Sequence, residues 1–353
     1  MPEPLLDAVL DTLRAALLTQ WPALAGAPLE PLADKGLAHH HVRLAGTGLI
    51  ARLPKQSQMG LAAQANLDYQ AACFRRASAS AHAPALRGVL APGPDLPRGG
   101  LLVLEVIGRP ARLPDDLPAI ARALAAFHSL PVPPPPQRAP LLDPADALAA
   151  LGAEIDAQAV HLDDAGLAPS VLAAIDLAML RFRSARYLPP RPPHRLISFD
   201  AHPGNFLIRA DGDAVLVDLE KARYGAPPLD LAHATLYTST TWDVDSHCEL
   251  TPEQVAQAYA EWALHFDDAQ AWRPWLVRLR IAMWLWSVTW CAKWRVLSSR
   301  PAGERADGED WSSEHSNPAL VEHVRGRVDC YLSPEIVERV VVETMVLETL
   351  LGV

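Results

Sequence analysis

The chain has 353 residues, a length at which one compact core usually gives way to two, so we expect two lobes. Its residues are 50% hydrophobic and 20% charged, a composition typical of soluble globular proteins and unlike that of disordered ones. The formal net charge of -10 disfavours a general nucleic-acid binder, because phosphate backbones are bound by clusters of Lys and Arg. The same charge is compatible with a cationic small-molecule partner.

Three features predict a cytoplasmic protein without a membrane span. The first helix-like segment carries Asp7 and Asp11 where an export signal would carry basic residues and then an apolar stretch. The longest apolar run, residues 281–292, is shorter than the roughly 18 residues that a membrane helix needs. The four cysteines are far apart and form no CxxC pair, which favours reduced thiols over a zinc or redox site.

The first third of the chain predicts a helix, a β-hairpin, a second helix and a strand. The runs HHHVRL and GLIARLP are separated by AGTG, whose glycines suit a tight turn. Next, Leu67, Ala71 and Phe74 recur at helical intervals, and RGGLLVLEVIGRP is an apolar strand bounded by glycines. We place the lobe boundary here, with residues 1–106 as the N-terminal lobe and residues 107–353 as the C-terminal lobe.

The rest of the chain predicts mostly helices. LPAIARALAAFHSL has a helical pattern and ends before consecutive prolines, which cannot continue a helix. Thr251 and Gln254 around Pro252 form a helix start with reciprocal caps. Ser333 and Pro334 open the apolar-striped segment EIVERVVVETMVLETLL in the same way.

Candidate chemical residues lie in SFDAHPGNFLI (198–208) and LVDLEKA (216–222). Asp200 can orient and deprotonate an acceptor hydroxyl, while Asn205 and Asp218 offer hard oxygen ligands to magnesium. The residues between them read as a strand, an Asp-Gly turn and a return strand, so a hairpin should bring Asp218 beside Asn205. This is the pattern that phosphoryl transfer from Mg-ATP requires.

With these residues the sequence resembles the aminoglycoside phosphotransferase and choline kinase-like family, whose catalytic segment reads H-G-D-x-H-x-x-N, followed by a hairpin and D-W/F-E. The matching residues are Asp200, His202, Pro203, Gly204, Asn205, Asp218, Glu220 and Asp230. The resemblance implies an α+β, two-lobe protein kinase-like fold with a small β-rich N-terminal lobe and a larger, mostly helical C-terminal lobe. It implies ATP and Mg2+ as cofactors, and a bracing role for Asp230 beneath the catalytic loop.

The resemblance extends more loosely into the first lobe. The positions that fit the family pattern there are Gly36, Arg52, Gln70, Leu104 and Val106. Arg52 would contact the ATP phosphates where many relatives carry Lys, and a guanidinium can hold phosphate oxygens in pairs. Gln70 would hold Arg52 where the family usually has Glu, and the backbones of Leu104 and Val106 would bind the adenine edge. Lys55 is an alternative phosphate contact.

Three residues depart from the family pattern and open a second interpretation. Ser198 and Phe199 replace the His and Gly before the catalytic aspartate, and Gln70 replaces a glutamate. These substitutions are compatible with a nucleotide-binding pseudokinase that acts through partner proteins. We favour an active enzyme, because loss of activity would have freed Asp200, Asn205 and Asp218 to change.

The adjacent histidines His39, His40 and His41 could in principle bind a metal. Neighbouring side chains of a strand point to opposite faces, so at most two of the three could share an ion. No Cys or Asp close to them in the sequence completes a ligand set. Positions near the ATP phosphates, or on the surface, account for them more simply.

Two further segments could form the acceptor site. Trp286, Trp290 and Trp294 recur every four residues on one side of a helix, which indicates core packing or an aromatic wall for a cationic amine. A polar stretch of about twenty residues follows, of a length that is usually functional or disordered. Its acidic residues, which would line the acceptor entrance or be merely solvated, are Asp307, Glu309, Asp310 and Glu314.

We therefore expect ATP- and Mg2+-dependent transfer of the γ-phosphate to a hydroxyl of a small molecule. The acceptor could be an amino alcohol, an aminoglycoside or other sugar, or a hydroxyacyl thioester. Asp200 would act as the base, Asn205 and Asp218 would hold the metal, and Arg52 would steady the phosphates.

Overall fold

The computed structural model describes residues 3–33, 38–185, 188, 190–299 and 318–353, which form two compact units. The first unit contains the described residues of Met1–Ser78, Pro84–Val106 and Leu297–Gly326. The second contains those of Ala79–Ala83, Ile107–Val296 and Arg327–Val353. The sites expected at Gly36 and at Asp307, Glu309, Asp310 and Glu314 lie outside the described residues.

The first unit is built on an antiparallel five-stranded sheet. Its strands are β1 (Leu29–Pro31), β2 (His39–Leu44), β3 (Leu49–Pro54), β4 (Leu86–Leu90) and β5 (Gly100–Leu104). They lie in the order β1-β2-β3-β5-β4, so β3 is the central strand and pairs with β2 on one side and β5 on the other. Among the described residues, the helices α1 (Glu3–Gln20) and α2 (Ala63–Ala77) lie wholly in this unit, and α10 (Pro318–Tyr331) begins in it.

The predicted hairpin is the pair β2 and β3. Leu44 faces Leu49 across the turn, and Gly46 and Gly48 adopt φ angles of 78° and 69°. Glycine enters this left-handed region without the clash that a Cβ atom would cause, which is why the turn forms at AGTG. The hairpin sets the register that places Arg52 opposite His41.

One face of this sheet packs on α1. Val42 and Leu44 of β2 and Leu53 of β3 are buried together with Leu13 and Leu17 of the helix. The alternation of these positions along each strand follows from the two-residue repeat of a β-strand. The core of the first unit therefore fixes which strand residues face away from α1.

Short strands in the second unit carry the catalytic segment. Strands β6 (Arg109–Pro110), β8 (Phe206–Ile208) and β9 (Ala214–Leu216) form an antiparallel sheet in the order β6-β8-β9. Strands β7 (Arg195–Ile197) and β10 (Arg223–Gly225) pair with each other. The hairpin predicted between Asn205 and Asp218 is the pair β8 and β9.

The remaining helices make most of the second unit. They are α3 (Leu117–His128), α4 (Ala147–Ala159), α5 (Pro169–Ala185), α6 (Pro228–Thr235), α7 (Tyr237–Thr240), α8 (Pro252–Ala263), α9 (Leu276–Ser298), α10 (Pro318–Tyr331) and α11 (Pro334–Leu351). A sheet unit and a mostly helical unit confirm the predicted α+β class. None of the helices in the described residues has both the length and the hydropathy of a membrane span.

Two predicted helix starts are confirmed by their caps. The Thr251 hydroxyl accepts the Gln254 backbone N–H, and the Gln254 side chain accepts the Thr251 N–H, forming the expected capping box of α8. The Ser333 hydroxyl accepts the Ile336 N–H at the start of α11. Such reciprocal bonds satisfy backbone donors that have no partner within the helix.

A buried ion pair joins two of the long helices. The Arg280 side chain on α9 is completely buried and lies 2.7 Å from Glu343 on α11. It also donates to the hydroxyl and the carbonyl of Thr235 on α6. Removing the carboxylate would leave a buried charge without its counter-ion, a defect that destabilises strongly.

We predict that Glu343→Ala lowers the free energy of unfolding by about 3–5 kcal/mol. Urea denaturation followed by circular dichroism measures this change. The matched control is Glu322→Ala, which removes an exposed partner of Arg325 and should change stability little. Equal effects of the two substitutions would contradict a structural role for the buried pair.

Candidate active site

Asp230 on α6 holds the backbone of the catalytic segment from within the protein. The Ser198 N–H donates to Asp230 Oδ2 at 2.7 Å, and the Phe199 N–H donates to Oδ1 at 2.8 Å. Asp230 is completely buried, and a buried carboxylate requires such donors. These bonds hold the chain immediately before Asp200, which is the bracing role that the resemblance implied.

A third donor reaches Asp230 through two buried rings. His128 Nε2 lies 3.1 Å from Asp230 Oδ2, and Trp262 Nε1 lies 3.0 Å from His128 Nδ1. Because an indole nitrogen can only donate, Nδ1 must accept, and the imidazole proton then lies on Nε2. A chain of hydrogen bonds therefore connects α8 and α3 to the catalytic segment.

Phe199 adopts a conformation that normally favours glycine. Its φ angle is 57°, at the position where the family has Gly. The ring is buried, with the Arg223 guanidinium 3.9 Å from its centroid and the Trp286 ring edge-on at 5.3 Å. Cation–π and aromatic contacts of this kind offset the backbone strain of about 1–2 kcal/mol.

Gly204 is required by a close approach in the next turn. A Cβ atom at this position would lie 2.7 Å from the Cβ atom of Asp243. No side chain fits there without a shift of the backbone. The glycine of HPGN thus allows the segment that contains Asp243 to pack against the catalytic turn.

Asp200 is paired with a lysine that the sequence analysis had not assigned to the site. Lys221 Nζ lies 2.9 Å from Asp200 Oδ2, and both side chains are largely buried. Burial is the largest influence on the pKa of Asp200 and would raise it, but neighbouring groups, Lys221 first among them, together bring the pKa below its ordinary value. Burial would likewise lower the pKa of Lys221, but Asp200 together with the carboxylates of Glu220 and Asp218 raises it overall. Both groups are charged at neutral pH.

Two histidines, His202 and His233, lie near Asp200. His233 Nδ1 is 3.9 Å from Asp200 Oδ1, too far for a hydrogen bond, and the His202 and His233 rings are 6.1 Å apart. Burial lowers the pKa of His233 to about 4 despite the nearby Asp200 carboxylate. Burial also lowers the pKa of His202. Neutral imidazoles near pH 7 leave Lys221 as the cation that contacts Asp200.

Asn205 and Asp218 lie at the open ends of the β8–β9 hairpin. The Val217 N–H donates to the Asn205 carbonyl at 2.9 Å, which pairs Asn205 with the residue that precedes Asp218. Asn205 Nδ2 donates to the Asp200 carbonyl at 2.8 Å, so the amide oxygen Oδ1 is directed away from that bond. The hairpin thus brings the backbones of an amide residue and a carboxylate residue to the same end, and both side chains supply the oxygen ligands that magnesium takes besides water and phosphate oxygens.

The residues predicted to bind nucleotide lie in the first unit. Arg52 is buried on β3 with its guanidinium 5.3 Å from the Phe74 ring centroid. Gln70, one turn before Phe74 on α2, has its Oε1 atom 3.0 Å from His39 Nε2. The Leu104 N–H donates to the Ala85 carbonyl, so an adenine contact from Leu104 would use its carbonyl oxygen.

Lys55 and Val106 lie beyond the strands that carry Arg52 and Leu104. Lys55 follows the last residue of β3, and its N–H donates to the Ala38 carbonyl. Val106 lies two residues after the end of β5 and is half-buried. Their proposed contacts with phosphate and adenine stay predictions.

The tryptophan stripe of α9 contacts side chains of the protein itself. Trp286 faces Lys221 Nζ at 5.7 Å and its indole nitrogen donates to Glu154. Trp290 packs edge-on against Trp242, and Trp294 is buried. These contacts favour the packing interpretation over an aromatic wall, and the cation that Trp286 holds is a lysine of the same chain.

Comparison with known proteins gives the family. Residues 29–275 match the phosphotransferase enzyme family (APH). The chain belongs to this family. No curated protein matches the sequence.

Solved structures confirm the two-lobe protein kinase-like fold. A choline/ethanolamine kinase family protein from Mesorhizobium loti is 18% identical, with 95% of this chain and 99% of that chain covered and a TM-score of 0.52. The GDP complex of aminoglycoside 2'-phosphotransferase-IIIa is 19% identical, with 90% and 97% covered and a TM-score of 0.55. A thermostable aminoglycoside phosphotransferase mutant with AMP-PNP and hygromycin B is 15% identical, with 92% and 99% covered and a TM-score of 0.56.

Sequence reasoning missed Lys221 and His233, although both lie close to residues that it identified. Lys221 is three residues after Asp218, and His233 is three residues after Asp230. Nothing in their local sequence shows that both side chains turn toward Asp200. The residue types, a cation and an imidazole near an acidic motif, were the available signal.

We predict that Phe199→Ala lowers the free energy of unfolding by about 3–5 kcal/mol, because the buried ring is lost. The loss of unfolding free energy in Phe199→Gly should be about 1–2 kcal/mol smaller than in Phe199→Ala, since glycine adopts the positive φ angle without strain. Urea unfolding of the three proteins measures this difference, and we expect stability to decrease from wild type to Phe199→Gly to Phe199→Ala. A Gly variant less stable than the Ala variant would show that the strained backbone conformation contributes nothing.

Proposed function

We propose that this protein transfers the γ-phosphate of ATP to a hydroxyl group of a small molecule. The observation that carries the proposal is the arrangement of Asp200, Asn205 and Asp218 around one short hairpin, with the preceding backbone bound to Asp230. Family membership supports phosphoryl transfer as the reaction class. The identity of the acceptor is the finer part of the proposal.

In the proposed reaction Asp200 is the general base. The acceptor oxygen attacks the γ-phosphorus, and its proton passes to the Asp200 carboxylate. The bond from the γ-phosphorus to the oxygen that bridges it to the β-phosphate breaks, and ADP leaves with the electron pair. Because the transition state spreads charge over the phosphoryl oxygens, most of the rate depends on positioning and charge stabilisation.

Asn205 and Asp218 are the residues that would hold magnesium. Bound there, the ion would neutralise phosphate charge and align the γ-phosphate. Arg52 is proposed to steady the phosphates, and Gln70, whose side chain contacts His39, is proposed to lie at the same nucleotide site. The backbones of Leu104 and Val106 are proposed to bind adenine.

For the acceptor we propose an amino alcohol, an aminoglycoside or a related sugar. Relatives in fold include a choline/ethanolamine kinase family protein and an aminoglycoside phosphotransferase complexed with hygromycin B. Amino alcohols and aminoglycosides both combine hydroxyl groups with a cationic nitrogen. The net charge of -10 on this chain favours such a cation through long-range attraction.

We predict that Asp200→Asn lowers kcat about a hundredfold or more, the usual contribution of a positioned general base. Asn keeps the shape of the side chain but cannot take up the hydroxyl proton, so nucleotide affinity should change little. Product formation is measured with ATP or GTP and with ethanolamine, choline or hygromycin B.

The matched control is Asp211→Asn, the same change at an exposed position of the hairpin turn, which should retain wild-type turnover. A wild-type protein that binds nucleotide but consumes none with any acceptor would favour a pseudokinase. Equal turnover of wild type and Asp200→Asn would remove Asp200 from the chemistry.

We further predict that Asp218→Ala abolishes the part of ATP affinity that depends on magnesium. The substitution removes the charged ligand from the proposed metal site while the hairpin keeps its backbone pairing. Isothermal calorimetry with ATP, in the presence of magnesium and of EDTA, separates the two contributions. Asp211→Ala is the control, and an unchanged magnesium effect in Asp218→Ala would assign the metal to other ligands.

A further inference from the structure

The two carboxylate oxygens of Asp200 have different surroundings. Oδ2 is occupied by Lys221 Nζ at 2.9 Å. Oδ1 faces His233 Nδ1 across 3.9 Å, and within the described residues this enclosed nitrogen has no hydrogen-bond partner. Two atoms 3.9 Å apart are too distant to hydrogen-bond to each other. One oxygen atom placed between them can hydrogen-bond to both.

Lys221 also contacts an aromatic ring that is itself held by a hydrogen bond. Its ammonium lies 5.7 Å from the Trp286 ring centroid, and Trp286 donates from its indole nitrogen to Glu154. The same glutamate pairs with Arg223, which follows Lys221 closely on β10. The ammonium is therefore contacted by Asp200 and by Trp286 of α9, and Glu154 of α4 holds that ring in place.

The residue type at position 221 adds a second argument. Lysine occurs only at positions 35, 55, 221 and 293 of the sequence, while lysine and arginine together number 31. An ammonium is a point charge that can bind one carboxylate oxygen, whereas a guanidinium forms a fork that binds both oxygens at once. In a chain that uses arginine for most cationic positions, lysine at 221 leaves one oxygen of Asp200 available.

We propose that Lys221 is a positioning residue that holds Asp200 through Oδ2 and so presents Oδ1, on the His233 side, to the acceptor hydroxyl. This inference rests on the proposed phosphoryl transfer and specifies its geometry. The acceptor hydroxyl donates its proton to Oδ1 as its oxygen bonds to the γ-phosphorus. The hydroxyl oxygen then also comes within reach of His233 Nδ1.

A double-mutant cycle tests whether Lys221 acts through Asp200. The proteins are wild type, Lys221→Met, Asp200→Asn and the double variant, assayed with whichever of ethanolamine, choline or hygromycin B the wild type phosphorylates fastest, or with water as acceptor. Lys221→Met should lower kcat about a hundredfold, the scale for a misplaced catalytic group, with little change in the KM for ATP. In the Asp200→Asn background the same substitution should cause no further loss, whereas additive losses would overturn the proposal.

Lys221→Arg keeps the charge and distinguishes positioning from simple structural support. We expect a melting temperature close to that of the wild type and a kcat at least tenfold lower, because the guanidinium engages both oxygens. Wild-type kcat in Lys221→Arg would overturn the selection of one oxygen. Lys293→Met, which removes a lysine from α9, is the control for loss of a positive charge.

The cycle also separates this inference from the proposed function. If the wild type consumes neither ATP nor GTP with any acceptor or with water, the proposed function fails and this inference fails with it. If the wild type is active but the cycle is additive, the proposed function stands and only the role of Lys221 is wrong.

Discussion

The geometry of the candidate site depends on one buried carboxylate. Asp230 is shielded from water and is stabilised by the N–H groups of Ser198 and Phe199 and by His128. An uncompensated charge in such a place would cost several kcal/mol, so all three donors must be present together. Because two of them belong to the catalytic segment, folding around Asp230 also fixes the backbone from which Asp200 projects.

The charges around Asp200 are arranged so that the carboxylate stays ionised without being fully neutralised. Lys221 supplies a positive charge to one oxygen, and the buried histidines are neutral near pH 7. A base with a lowered pKa is weak, but catalysis of phosphoryl transfer depends mostly on positioning and charge stabilisation. Orientation of Asp200 therefore contributes more than its basicity.

The features that could be predicted from the sequence are local ones. Two examples are the hairpin turn at Gly46 and Gly48 and the capping box at Thr251, which depend on residues within a few positions of one another. The structure confirms both predictions. The hairpin from Asn205 to Asp218 was also readable, because strand and turn signals alternate over a short stretch. Local chemistry determines these elements regardless of what packs against them.

The features that could not be predicted depend on contacts between distant parts of the chain. Trp262 and His128 are far apart in sequence, as are Lys221 and Asp200, and no periodicity relates them. The stripe at Trp286 shows the same limit: its spacing indicated one helix face but could not show whether a ligand or Lys221 covers it. Packing decides between such alternatives.

The departures at positions 198 and 199 bear on whether the site is competent. The bonds to Asp230 come from backbone N–H groups, which every residue except proline supplies, so exchanging His-Gly for Ser-Phe keeps both. The Ser198 hydroxyl accepts the Asp200 N–H, and the Phe199 ring fills a pocket between Arg223 and Trp286. These contacts hold the backbone before Asp200 although both side chains differ from the family pattern. The substitutions therefore read as an alternative way to hold Asp200 in place, which favours the enzyme over the pseudokinase.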